Sequence, residues 1–217
     1  MWPQPTVKLL PATPILRIEP GEHTAVVTGI DTDAAGRVLV TGSMDKTVRV
    51  WSLPEGRLLN TLRLPIVAGN EGEVYALAIS PDGTTVAVGG WTGYKWDRSV
   101  SIYLFNRLSN QIVRRLTGLP NPISKLAYSQ DGRYLAASLV GKTGIRIYRT
   151  NDWQLVAEDR DYRDSSSSVD FATDGRLVNT SYDGFIRLYG PDFKLLVKRE
   201  TSGGQGNRIK IFMRSIT

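Results

Sequence analysis

The chain has 217 residues, with 27 Lys and Arg against 21 Asp and Glu for a net charge of +6, and it carries 21 Gly, 11 Pro and 9% aromatics. That length is enough to bury a core, and the glycine and proline content beside ordinary hydrophobicity points to an all-β chain of short strands and many turns. Cysteine is absent, which removes disulfides, thiolate metal sites and a cysteine nucleophile from consideration.

The first 20 residues, MWPQPTVKLLPATPILRIEP, are interrupted by Pro3, Pro5, Pro11, Pro14 and Pro20, so they read as neither a signal peptide nor a membrane span. No later stretch approaches the roughly 20 apolar residues of a spanning helix. The expectation is a cytoplasmic chain with no membrane partner.

Four segments then align with one another. They are TGIDTDAAGRVLVTGSMDKTVRVWSLPEGRLLNTL, YALAISPDGTTVAVGGWTGYKWDRSVSIYLFNRLSNQIVRRL, SKLAYSQDGRYLAASLVGKTGIRIYRTNDWQLVAE and SVDFATDGRLVNTSYDGFIRLYGPDFKLLVKRE. Their turn glycines Gly36, Gly83, Gly132 and Gly175 are 47, 49 and 43 residues apart, and Asp82, Asp131 and Asp174 precede the last three. Asp-Gly between alternating apolar runs predicts a hairpin, since Gly accepts positive φ and Asp bonds its own backbone. A further turn and a strand ending in an aromatic follow: Trp51, Phe105, Tyr148 and Tyr189. Alternation sets Arg49, Arg146 and Arg187 on the face opposite Val50, Ile147 and Leu188. Four strands at this period predict propeller blades at 21–64, 65–119, 120–164 and 165–200, after an extension over 1–20 and before a tail over 201–217. In that tail RIKIF reads as the inner strand of a fifth blade.

GGWTGYKWDRS, in the second blade, is longer than a hairpin turn requires: 22 residues separate Gly83 from Phe105, against 15 between Gly36 and Trp51. Turns of this kind emerge on the face that carries the blade connections. Trp91, Tyr94, Trp96 and Arg98 there are of the types that anchor protein interfaces, and a local lid folded over the blade edge is the competing reading.

The remaining motifs have structural explanations. AASLVGKT imitates a phosphate loop, but GIRIYRT after it alternates as a strand where a phosphate loop must open a helix. His23, the only histidine, has no recognisable partner set for general-base work. Asp82, Asp131 and Asp174 form turns of successive blades, too far apart for paired acid–base chemistry. DSSSSVDF reads as a polar surface loop joining the third and fourth blades. The basic residues are scattered and mixed with acids, so solvated strand faces explain the charge better than a nucleic-acid surface. No metal site and no cofactor are expected.

GEHT and TGSMDKTVRVWS resemble the start, second turn and third strand of the WD40 repeat family. The resemblance covers residues 21 to about 200. It implies that His23, Thr41, Asp45 and Trp51 form the structural hydrogen-bond tetrad of the first blade, and that TPILRIEPG is an outer strand used in ring closure. The repeats depart from the pattern: Ser52, Asn106, Arg149 and Gly190 stand throughout where Asp follows Trp, and of the later repeats only the fourth, with Asp183, repeats the position of Asp45. SPDGTTVAVGG and SYDGFIRLY also resemble bacterial WD40 arrays fused to caspase-like or NTPase effectors, which implies the sensor or regulatory arm of a longer enzyme as the alternative. The leading implication is a non-catalytic interaction module or scaffold for a protein or peptide partner. Family rings usually hold seven blades, so four imply a partial ring, completed by a longer chain or by a homo-oligomer.

Overall fold

A computed structural model describes residues 21–65 and 69–201. TPILRIEPG, apart from Gly21, and RIKIF lie outside the described residues. Sixteen strands form four antiparallel four-stranded sheets, each meandering outward in chain order. The first blade is β1 (Val27–Thr32), β2 (Val38–Ser43), β3 (Thr47–Ser52) and β4 (Arg57–Arg63). The second is β5 (Val74–Ile79), β6 (Thr85–Gly90), β7 (Val100–Asn106) and β8 (Ile112–Leu119), with one helical turn, α1 (Tyr94–Asp97), between β6 and β7. The third is β9 (Ile123–Tyr128), β10 (Tyr134–Leu139), β11 (Ile145–Arg149) and β12 (Leu155–Asp159). The fourth is β13 (Ser166–Phe171), β14 (Leu177–Ser181), β15 (Phe185–Tyr189) and β16 (Leu195–Glu200).

The turns follow the sequence chemistry. In the second blade the Asp82 carboxylate accepts the Thr84 amide at 3.0 Å, and Gly83 sits at φ +73°. The first blade lacks that Asp, and Asp33 substitutes: its Oδ1 accepts the amides of Arg37 and Val38 at 2.7 and 2.9 Å.

The blades stand side by side with the inner strands β1, β5, β9 and β13 in sequence. The core is therefore divided among the three clefts between neighbours. Val40, Val50, Leu77 and Phe105 fill the first, Ile102, Leu104, Leu126 and Leu135 the second, and Ile147, Val169, Phe171 and Tyr189 the third. Close approach is bought with glycine: a Cβ at Gly42 would lie 2.5 Å from Leu77 Cδ2, and one at Gly89 3.0 Å from Ile123 Cβ. Among the described residues the first blade packs chiefly on the second and the fourth chiefly on the third. The four blades form an open arc.

Three expectations are corrected. Ser166, Ser167 and Ser168 are not a surface loop but the start of inner strand β13, with Ser166 fully buried. A serine hydroxyl can be buried when a neighbouring carbonyl accepts it, and a polar run carries no local sign of that neighbour. The strand arginines Arg49, Arg146 and Arg187 do lie opposite the apolar row, yet they are buried and not solvated. The aromatic stretch contains a helical turn that its glycines did not suggest.

Candidate partner-binding face

Residues 90–99 are shaped from below by the connection between the first two blades. Gly72 donates to the Trp91 carbonyl at 2.7 Å, and Trp91 donates to the Glu73 carbonyl at 3.1 Å. Gly90 at φ +156° is required here, since a Cβ would strike the Glu73 carbonyl. Thr92 turns its hydroxyl inward onto the Ser101 carbonyl at 2.5 Å. The Glu71 side chain, 1% exposed, accepts the amide of Gly93 on one oxygen and that of Lys95, at 3.3 Å, on the other. A buried carboxylate thus gathers two amides of the loop and sets the direction in which α1 leaves. Sequence reasoning missed Glu71, because an acid in a blade connection has no local pattern that names its target.

Above this clasp the predicted residues separate. Trp91 is half-buried, with its ring centroid 6.0 Å from that of Tyr94 at 44°. Tyr94 is 48% exposed and Arg98 is exposed, held outward by its left-handed backbone at φ +51°. Trp96 lies within α1, and its side chain is outside the described set. Asp97 is spent on an ion pair with Arg115, whose guanidinium sits 5.5 Å from the Tyr103 ring centre. Lys46, in the second turn of the first blade, donates to the Gly69 carbonyl at 2.5 Å. The second-turn loops and the blade connection therefore occupy one face.

The structure brings His23, Thr41, Asp45 and Trp51 together in one hydrogen-bonded chain. Trp51 Nε1 donates to Thr41 Oγ1 at 2.9 Å, Thr41 Oγ1 lies 2.8 Å from His23 Nε2, and His23 Nδ1 lies 2.9 Å from Asp45 Oδ2. Burial pushes the Asp45 carboxyl up, but hydrogen bonds from Thr47 and His23 outweigh it and hold the group below its ordinary value. Every member is engaged in linking strands, so the set offers no proton-transfer group aimed at solvent.

The fourth blade carries a counterpart that the sequence did not reveal. Asn179, ten residues before Tyr189 as Thr41 is before Trp51, accepts the Tyr162 hydroxyl at 2.8 Å and donates to Ser166 Oγ at 2.6 Å. The Tyr189 hydroxyl donates to Asp159 at 2.7 Å. Arg187 donates to Asp183 at 2.7 Å and to the Asp161 carbonyl at 2.8 Å, with its guanidinium 3.9 Å from the Tyr162 ring centre. Burial raises the Asp183 carboxyl, and the Arg187 and Ser181 bonds overcome it and hold the group well below the usual carboxylate range. Arg146 pairs with Glu158 at 3.0 Å in the third blade. Among the described residues no three of the His, Cys, Asp and Glu side chains are grouped to hold a metal ion, and no helix is long and apolar enough to cross a membrane.

The family model described as WD domain, G-beta repeat, matches residues 15–52 and 56–103. The chain is 27% identical over 182 residues to small ribosomal subunit protein RACK1 of Caenorhabditis elegans, covering 77% of this chain and 51% of that protein. It is 32% identical over 209 residues to Protein ROOT INITIATION DEFECTIVE 3 of Arabidopsis thaliana, covering 79% and 45%. Among solved structures it is similar in fold to U3-55K, with a TM-score of 0.71 at 19% identity over 84% of this chain and 54% of that one. The chain spans about half or less of the length of the curated relatives it matches.

Proposed function

This chain is a member of the WD40 repeat family, and from that premise we propose that it is a non-catalytic interaction module receiving a protein or peptide partner on the face that carries residues 90–99. The observation that carries the reading is the Glu71 clasp. A loop longer than its hairpin needs is held by buried hydrogen bonds while Tyr94 and Arg98 face outward, so little ordering entropy is lost when a partner arrives. Tyr and Arg are favoured anchors because each combines broad contact area with directional donors. Trp91 supports Tyr94 from behind, which makes lid and platform two parts of one device.

The nucleic-acid reading loses support from the burial of Arg49, Arg146 and Arg187, which removes the strand arginines from any outer basic stripe. The nematode relative is by its name a protein of an assembly, the small ribosomal subunit, and that agrees with a binding role for the repeats.

The test is affinity capture with the wild-type chain and with a Tyr94→Ala, Arg98→Ala double variant, together with thermal melts of both. The expected result is a partner retained by the wild type and lost by the double variant at an unchanged melting temperature. If both chains capture the same proteins equally, the loop is not the docking site.

A further inference from the structure

The first turns of the blades repeat a pairing that the second blade omits. In the first, third and fourth blades the residue after the turn glycine is Arg37, Arg133 or Arg176, and it pairs with the turn carboxylate: 4.0 Å from Asp33, 2.6 Å from Asp131 and 2.7 Å from Asp174. In the second blade that residue is Thr84. Asp82 accepts the Ser80 hydroxyl at 2.5 Å and the Thr84 amide and hydroxyl at 3.0 and 2.9 Å, and among the described residues it pairs with no cation. Arg107 of the same blade gives its Nε to the Gly83 carbonyl at 2.6 Å instead. Burial raises the Asp82 carboxyl, but the Ser80 and Thr84 bonds outweigh it and hold the group below its ordinary value, so it is charged at neutral pH.

Asp82 lines a cavity of about 320 Å³ between the second and third blades, together with Thr84, Thr85, Tyr128, Asp131 and Trp153. The next cleft shows what fills such a space. Thr85 and Tyr134 are equivalent, since the amide of each bonds a first-turn serine hydroxyl, Ser80 or Ser129, at 2.9 Å. Trp153 and Phe193 are equivalent at the third turns, both left-handed at φ +62°. Between the third and fourth blades Tyr134 meets Phe193 edge-on with ring centres 4.8 Å apart, and Arg133 sits 5.9 Å from the Tyr134 ring centre while it holds Asp131. Between the second and third blades threonines replace both the arginine and the tyrosine, and the space is empty. Tyr128, where the next cleft has Phe171, carries a buried hydroxyl with no hydrogen-bond partner among the described residues. Its burial, and then the nearby Asp82 charge, push that phenol up. The cavity thus lacks both a cation and a hydrogen-bond donor.

We propose that this cavity receives the side chain of an arginine from a protein or peptide partner, its guanidinium on Asp82 as Arg133 sits on Asp131, and its plane against the Trp153 ring. The three other blades supply an arginine at this place from their own sequence, which names the group that fits. Lysine is the poorer match, because a planar fork of donors serves a carboxylate while it stacks on an indole, and a compact ammonium does not. Both blades that form the cavity have a described blade on each side, so the cavity owes nothing to the ends of the arc. It belongs to the end of the blades opposite residues 90–99, so this inference and the proposed docking loop can fail independently.

The test is an NMR titration of the full chain with a capped glycine–serine peptide holding one central arginine, with its lysine and citrulline counterparts, and with free arginine. The arginine peptide should shift the Gly83 and Thr84 amides and the Trp153 indole N–H in a saturable way, the lysine peptide more weakly, and the citrulline peptide not at all. Asp82→Asn should raise the dissociation constant about tenfold or more. Thr84→Arg gives the second blade the arginine of the other three, so it should block the peptide to the same degree without lowering the melting temperature, and it reads the site with Asp82 intact. No saturable shift in the wild type at millimolar peptide, equal binding of the citrulline peptide, or undiminished binding to Thr84→Arg would each overturn the proposal. Free arginine binding more tightly than the peptide would overturn a partner as the source.

Discussion

Single side chains decide how each blade is pinned, and two of them give sharp tests. Thr41 is the node of the first-blade network, accepting from Trp51 and facing His23. Thr41→Val keeps the shape and strands both partners, so the chain should lose about 1–3 kcal/mol of stability in a denaturant melt. Asp183 supplies a pH signature. Its carboxyl is depressed in the folded chain, so the stability it contributes is complete above the ordinary value of 3.8 and is lost as pH falls through the folded value. Melting temperature should therefore fall in acid below about pH 4 in the wild type, and Asp183→Asn should start lower and converge with it as pH drops. Parallel curves would remove Asp183 from the account. At this scale the sequence was partly legible. His23, Thr41, Asp45 and Trp51 could be named through the repeat they resemble. Tyr162 and Asn179 could not, because a Tyr–Asn–Tyr set has the right positions and none of the familiar letters.

Strands and turns were the most legible level, because Asp-Gly pairs and alternation act locally and need no neighbour to be recognised. The serine strand β13 was illegible for the converse reason. Its hydroxyls and carbonyls are satisfied by other strands, as when Asn179 donates to the Ser168 carbonyl at 2.6 Å. The loop at residues 90–99 is an intermediate case. Its length stood out at once, while the Glu71 clasp lay about 20 residues upstream, in the connection. Glu71→Ala leaves the amides of Gly93 and Lys95 without their acceptor. Hydrogen exchange at those two amides should accelerate markedly while that of β6 and β7 stays slow. Uniform acceleration would mean that Glu71 supports the blade and not the loop. Strand packing has an equally local weak point: Gly89→Val drives methyl groups into Ile123 and should cost about 1–3 kcal/mol through overpacking.

Among the described residues the apolar core has no common centre, since its side chains are shared out among three clefts. Stability is then close to a sum of blades and the contacts between them. The second and third blades bury both faces and the outer two bury one. Amide exchange should be slowest in β5, β6, β9 and β10 and faster in β1, β2, β14 and β15. Equal protection across all four blades would show a cooperativity that the divided core does not supply.

The divided core also sets how the chain meets mechanical load. Because the apolar packing of each described blade is with its neighbours in the chain, tension along the backbone has no single element to break. An optical trap pulling on the two ends should record several small rips in succession, each the length of one blade, with the outer blades yielding first. Stretching would leave the remaining blades folded and able to recruit their lost neighbours when the force is released, so the arc extends as a chain of springs and not as one brittle body.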